Sequence, residues 1–295
     1  MRIYLLHGAI LLGACGSTHA DQEPIGGNVD TEAELQRFLR RAYIDLSGAV
    51  PDDATLATGT TRLREQGNTA AARGQLVDEL IADDRFATVW VEDLETTIFG
   101  GNSLDQQYSF VCNIIRGDND ACESCTEADA CSCSCPLLAT LGAERATLRT
   151  AAADLRAGTT SSAIERRYAM AVGYYAIIGA PEARVTSLFD DFLARTAEPD
   201  EIENGRSMIF GAIFPGSPAG LMFHRHGANY VDLIDIVFDS EVYREAMVRR
   251  VFERYLARGP RPNELAYFLS TLDANDPDAR PLVRAVVSSR EYFEP

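Results

Sequence analysis

The sequence predicts an all-α protein, a repeat-like bundle of three related helical units interrupted by a cysteine-rich loop. Apolar residues recur at three- and four-residue steps in segment after segment, which is the helical period, while alternating runs of the strand kind are scarce. The stretch from Phe189 to Arg195, followed by Pro199 to Ile202, overlays Phe252 to Arg258, followed by Pro262 to Leu265, at a constant offset of 63 residues and without a gap. At 295 residues, 46% of them hydrophobic, the chain can bury a substantial core, which excludes global disorder.

Residues 1–14 form the first element. A charged start at Arg2, an apolar run from Ile3 to Leu12 and the sequence Leu12-Gly13-Ala14-Cys15 resemble a bacterial lipoprotein signal peptide with its lipobox. The resemblance implies that Cys15 becomes the mature N-terminus, with a diacylglycerol thioether on its sulfur and a palmitate-type acyl chain on its amine. Gly16 and Ser17 follow, with no Asp to retain the anchor at the inner membrane, so in a Gram-negative host the destination is the outer membrane. An ordinary secretory signal cleaved near Ala20, with Cys15 lost, is the alternative. Residues 15–30, rich in Gly, Asp and Gln, read as a polar tether. Elsewhere the longest uncharged apolar stretch, Tyr168 to Ala180, is too short to span a bilayer and reads as a buried helix.

The first helical unit is assigned to residues 31–100. Thr31 and Glu34 make a capping box, and Leu35, Phe38, Leu39, Ala42, Tyr43 and Leu46 follow at helical spacing until Gly48 stops the helix. A cysteine-rich loop occupies 101–136, and 137–183 are connecting helices. The second unit, 184–246, and the third, 247–295, carry the strict repeat and close alike, Leu233 to Tyr243 matching Leu282 to Tyr292. The first unit is a weaker copy: Arg40 to Tyr43, Pro51, Leu56 and Leu76 to Phe86 align with Arg249 to Phe252, Pro260, Leu265 and Leu282 to Tyr292. Within the repeat, Phe192, Leu193, Tyr255 and Leu256 read as core, and Arg195 and Arg258 as partners of helix ends or of Glu201 and Glu264.

The pattern aromatic-x-x-aromatic-Leu-x-Arg, then Pro-x-Glu-Leu, then a closing helix, resembles the helical repeat of phycobilisome-linker-like and other exported bacterial domains. The opening stretch from Arg40 through Pro51 to Phe86 resembles the cytochrome-associated domain of planctomycete and myxobacterial exported proteins. These resemblances imply a fold and an exported setting; the matched positions are core aromatics, Pro turns and a capping Arg, which imply no chemistry. Proteins of that kind often travel with a Cys-x-x-Cys-His haem module. Here Cys122-Glu-Ser-Cys125 is followed by Thr126, which argues against covalent c-type haem.

Two clusters are candidates for function. Cys112, Cys122, Cys125, Cys131, Cys133 and Cys135 crowd into one segment, and in an exported chain an even set of six reads as three disulfides, whose pairing spacing alone leaves open. The alternative is a thiolate site in which Cys122, Cys125, Cys131, Cys133 and Cys135 hold zinc or iron. The second cluster lies where the second unit is 14 residues longer than the third, around Phe210 to Tyr230. Insertions in repeats map to binding loops, so Phe214, Met222, Phe223, His224, Arg225 and His226 form a candidate partner surface, the histidines adding pH sensitivity near their ordinary value of about 6.5. The competing reading is a plug that caps the helical stack.

All 27 basic residues are Arg, with no Lys, against 44 acidic residues, a net charge of −17. A surface so acidic excludes nucleic-acid binding and polybasic membrane docking. There is no His-Glu-x-x-His, no Gly-x-Ser-x-Gly, no phosphate loop and no dinucleotide fingerprint. Asp52-Asp53, Asp83-Asp84 and Asp190-Asp191 read as solvated helix ends. The sequence therefore points away from an enzyme, with no cofactor and no metal required, and toward a lipid-anchored cell-envelope scaffold with a protein partner. An exported metal or redox protein is the alternative.

Overall fold

The computed structural model describes residues 30–118, 122, 124–175, 178–211 and 218–294. The signal segment, Cys15, most of the tether and Phe214 lie outside them. The described part is all-α apart from one short hairpin.

Four helices make the first unit: α1 (Glu32–Ser47), α2 (Asp53–Glu65), α3 (Ala70–Ala82) and α4 (Asp84–Ile98). Each starts on a side chain that accepts a backbone N–H otherwise left without a partner: Thr31, in the expected capping box with Glu34, then Asp52, Thr69 and Asp83. Asp52 and Asp83 are thus the helix-end aspartates their sequence context suggests. The cysteine-rich lobe is α5 (Leu104–Asp118), a 3-10 turn (Ala130–Ser132) and α6 (Pro136–Leu148). Three connecting helices follow: α7 (Ala151–Arg156), α8 (Ser161–Ala169) and α9 (Val172–Tyr175). The apolar stretch expected as one buried helix therefore breaks. α8 ends at Ala169 and α9 lasts a single turn, its first amides held by the Glu144 carboxylate (Val172 N to Oε2, 3.1 Å). A remote acid supplies the cap that local sequence lacks.

The second unit runs α10 (Pro181–Leu193), α11 (Pro199–Phe210), a hairpin of β1 (Gly220–Met222) and β2 (Arg225–Gly227), then α12 (Tyr230–Phe238) and α13 (Glu241–Leu256). The third runs α13, α14 (Pro262–Thr271), α15 (Arg280–Val287) and α16 (Arg290–Phe293). The boundary expected between residues 246 and 247 falls inside one continuous helix. α13 closes the second unit and opens the third, so the repeats overlap. Its capping Ser240 receives the N–H of Tyr243, as Ser289 receives that of Tyr292 at the head of α16. Asp83 stands at the same place before α4.

Chain order is not spatial order. α13 packs on both α10 and α15, and α15 packs on α3, so the third unit lies between the second and the first. The join between the chain's two ends is specific. Phe38 meets the rings of Tyr292 and Phe293 at 5.9 and 5.8 Å, Arg41 donates to the carbonyls of Tyr292 and Tyr255, and buried Arg73 donates to that of Ser288 at 2.8 Å. One hydrophobic core runs through all three units and the cysteine lobe.

The repeat is conserved at the atomic level between the second and third units. α10 and α13 both end on an alanine in the left-handed conformation, Ala194 (φ 50°) and Ala257 (φ 53°). The next residue folds back over its own helix, with Arg195 above Phe189 at 4.8 Å and Arg258 above Phe252 at 5.2 Å. Each guanidinium then grips the acid that caps the following helix, Arg195 to Glu201 at 2.6 Å and Arg258 to Glu264 at 2.8 Å, the pairing the sequence suggests. Arg258 is held by Glu291 as well. In the first unit Gly48 (φ 64°) takes the left-handed position and no such clamp follows.

That comparison predicts the sign of three substitutions. Ala194→Gly and Ala257→Gly relieve a left-handed residue, and each should raise stability by about 0.5–1 kcal/mol. Gly48→Ala should lose at least as much, since its new methyl would also stand 3.0 Å from Val89 Cγ2. Urea midpoints at constant m-value measure all three.

Candidate functional site

Three regions gather chemistry-bearing side chains. In the cysteine lobe, α5 and α6 run side by side with the 3-10 turn between them, and the six cysteines pair as Cys112–Cys131, Cys122–Cys135 and Cys125–Cys133, with Cα separations of 5.3, 5.5 and 5.9 Å. The Cys125–Cys133 bridge nests inside Cys122–Cys135, and Cys112–Cys131 ties the lobe to the middle of α5. Arg145 of α6, nearly buried, forks onto Asp129 and holds that carboxyl below its ordinary range, while Asp129 also caps the turn through the Cys131 N–H at 3.1 Å. With every sulfur of the cluster paired, the alternative zinc or iron site at Cys122, Cys125, Cys131, Cys133 and Cys135 has no thiolate to use. Three disulfides in one segment belong to an oxidising, exported environment. Among the described residues no helix is long and apolar enough to cross a membrane.

The second region is the insertion of the second unit. Its candidate residues form a two-residue hairpin in which Met222 pairs with Arg225, and Phe223 (φ 47°) and His224 (φ 62°) both turn left-handed, the backbone of a type I′ turn. The expected exposed surface needs correction at two positions, Met222 and Phe223. Met222 is 1% exposed and belongs to the core. Phe223 is half-buried against Phe189 at 6.0 Å, with Arg195 over its ring, and Arg225 pairs with Asp239 at 3.0 Å. The hairpin lies flat on α11: Leu221 N–H donates to Asn204 Oδ1 at 2.8 Å, and a Cβ at Gly220 would sit 2.4 Å from the Asn204 carbonyl. Of the named residues that are described, His224, Arg225 and His226 are exposed. Among the described residues no group of three or more His, Cys, Asp or Glu is placed to hold a metal. Apolar exposure in this region falls instead on Phe210, Leu221 and Val231, carried by α11, β1 and α12, which pack on one another.

The third region escaped the sequence. A cleft of about 130 Å³ opens between α4 and α13, with α8 and α10 contributing to its lining. Glu165 of α8, 3% exposed, accepts from Arg250 Nη2 at 2.7 Å and from the Tyr243 hydroxyl at 3.0 Å, so its buried charge is paired and hydrogen-bonded. Arg254 pairs with Asp93 across the cleft. Asp191 is different. It lies in the last turn of α10 but is turned inward rather than solvated like Asp190, accepts the Tyr174 hydroxyl at 2.8 Å, and has no ion pair among the described residues. Burial pushes its carboxyl up to about 6 against the Tyr174 hydrogen bond, and neighbouring Asp190 adds to the rise. Trp90, the only tryptophan, lines the cleft with Leu94, Met247 and Val251. Sequence spacing could not assemble this set, because its members come from four helices far apart in the chain.

No family model, curated protein or solved structure matches the chain.

Two outcomes follow from these geometries. Met222→Ala should cost about 2–4 kcal/mol, the range for emptying a buried methionine site, because the hairpin is docked into the core; a thermal or chemical melt checks it. For Asp191 the folded carboxyl titrates above the unfolded one, so its contribution to stability is complete below about pH 4 and is lost as pH rises toward about 6. Asp191→Asn should match the parent protein below about pH 4 and exceed it above about pH 6 by roughly 1–2 kcal/mol after solvent screening, as read from urea midpoints across pH.

Proposed function

We propose that this chain is a non-enzymatic lipoprotein of the cell envelope, anchored in the outer membrane through Cys15, whose linked helical units act as an interaction scaffold for a protein partner. The observation that carries the reading is the cysteine ledger. Of seven cysteines, six pair among themselves in one lobe, which leaves Cys15, at the end of the Leu12-Gly13-Ala14 run, for thioether acylation. The resemblance to exported planctomycete and myxobacterial domains supports the same setting. A scaffold suits the architecture, because helical units that bury their apolar faces against one another are left to vary in their connections. The connection that has grown, in the second unit, keeps Phe210, Leu221 and Val231 exposed at 72, 44 and 45%. Together with the exposed His224, Arg225 and His226 these form the surface offered to a partner, in place of the inward-facing Met222 and Phe223.

Cys15→Ser tests the anchor. The parent protein should partition with membranes and yield an acylated N-terminal peptide by mass spectrometry, whereas the variant should appear in the soluble fraction. An unmodified N-terminus near Asp21 in the parent protein would overturn the reading.

A further inference from the structure

The cleft between α4 and α13 has the composition of a small binding site, and its unbalanced charge names the ligand. Facing it are three carboxyls, Asp93 from α4, Glu165 from α8 and Asp191 from α10, against two guanidiniums, Arg250 and Arg254, both from α13. Glu165 is matched by Arg250 and Asp93 by Arg254. Asp191 remains, with a hydroxyl donor in Tyr174 and the exposed Asp190 beside it; Arg250 makes no ion pair with its carboxyl, reaching only its backbone carbonyl at 3.4 Å, so that the Arg250 charge offsets only part of the cost of burying it. A half-buried carboxylate without a cation partner costs free energy, which a bound cation would recover. The walls narrow the class. Trp90, Leu94, Met247 and Val251 present an indole and aliphatic side chains, suited to an alkyl stem and to a cation near an aromatic face.

We infer that this cleft binds a primary ammonium group on a short alkyl stem, with the ammonium donating to Asp191 and the stem lying against Trp90. Because the chain contains no lysine, the ammonium comes from another molecule. That molecule is either a free amine or a lysine side chain of a second protein, and the volume admits only a few heavy atoms of either. Occupancy requires Asp191 ionised, so binding strengthens as pH rises through the range in which its burial-raised carboxyl releases a proton. The inference stands apart from membrane anchoring, since the cleft lies wholly within the helical units.

Trp90 makes the site directly observable, because as the only tryptophan its emission reports on this cleft alone. Titration of the purified, disulfide-intact protein with n-butylamine and with Nα-acetyl-lysine amide should give a saturable fluorescence change in the millimolar range, as expected for so few contacting atoms. Affinity at pH 7.5 should exceed that at pH 5 by about tenfold. A response to butylamine alone assigns the cleft to free amines, and a response to both extends it to protein lysines. Butanol and Nε-acetylated lysine amide, which lack the charge, should give none. Asp191→Asn, which keeps an acceptor for Tyr174, should weaken binding at least tenfold, and Thr97→Phe, a change at an exposed rim position, should block entry while leaving the circular dichroism spectrum intact. Failure of both amines to saturate, or equal affinity in Asp191→Asn, overturns the proposal.

Discussion

One helix has to satisfy two neighbours at once. α13 is the last helix of the second unit and the first of the third, and it packs against α10 and α12 on one side and α14, α15 and α16 on the other. Its buried set, Tyr243, Ala246, Met247, Val248, Val251, Phe252 and Tyr255, wraps too far around the helix for a single apolar stripe. Because the units share this helix, neither can tilt without moving the other, and the first unit is held in turn by the rings and carbonyls of α13 and α16. The same sharing creates the cleft. Arg250 and Arg254 leave α13 where its apolar belt is interrupted, and the acids they meet come from α8 and α4.

The use of arginine as the only cation shows in the way charge is buried. Guanidinium is weakly hydrated and forks onto carboxylates and carbonyls, so it can be carried inward at a lower desolvation cost than ammonium. Arg73, Arg145 and Arg250 do this at the joins between elements, and Arg195 and Arg258 do it at the turns of the repeat. Tyrosine plays the complementary part. Tyr108, Tyr168, Tyr174, Tyr243 and Tyr292 bury their rings and donate their hydroxyls to Glu144, Glu95, Asp191, Glu165 and Asp45. Burial next to a carboxylate pushes all five phenols above their ordinary value, so they remain donors throughout the physiological range.

The cysteine lobe and the hairpin are the two places where the helical pattern yields. In the lobe, a segment rich in Ser, Asp and Cys has too little apolar area to order itself, and three cross-links supply what burial does not. In the hairpin, two left-handed residues in succession are unfavourable without glycine, and the strain is held by Met222 on one side of the turn and by Phe223 against Phe189 on the other. Both segments join helices that the common core already positions.

What the sequence determined by itself is local or periodic. Thr31 and Glu34 with Gly48 set the limits of α1, the helical spacing placed Phe192, Leu193 and Tyr255 in the core with Leu256 partly buried against it, and the 63-residue offset announced the Arg195–Glu201 and Arg258–Glu264 clamps, whose partners lie six residues apart. The tertiary structure alone decided the rest. Met222 and Phe223 turned inward because α11 and Phe189 of α10 offer them a surface, the break after Ala169 depends on Glu144 arriving from α6, and Asp191 became a half-buried acid because α4, α8, α9 and α13 close around it. Spacing along a helix specifies which face a residue occupies. It carries no information about which distant element will cover that face, and a carboxyl's solvation depends on that cover.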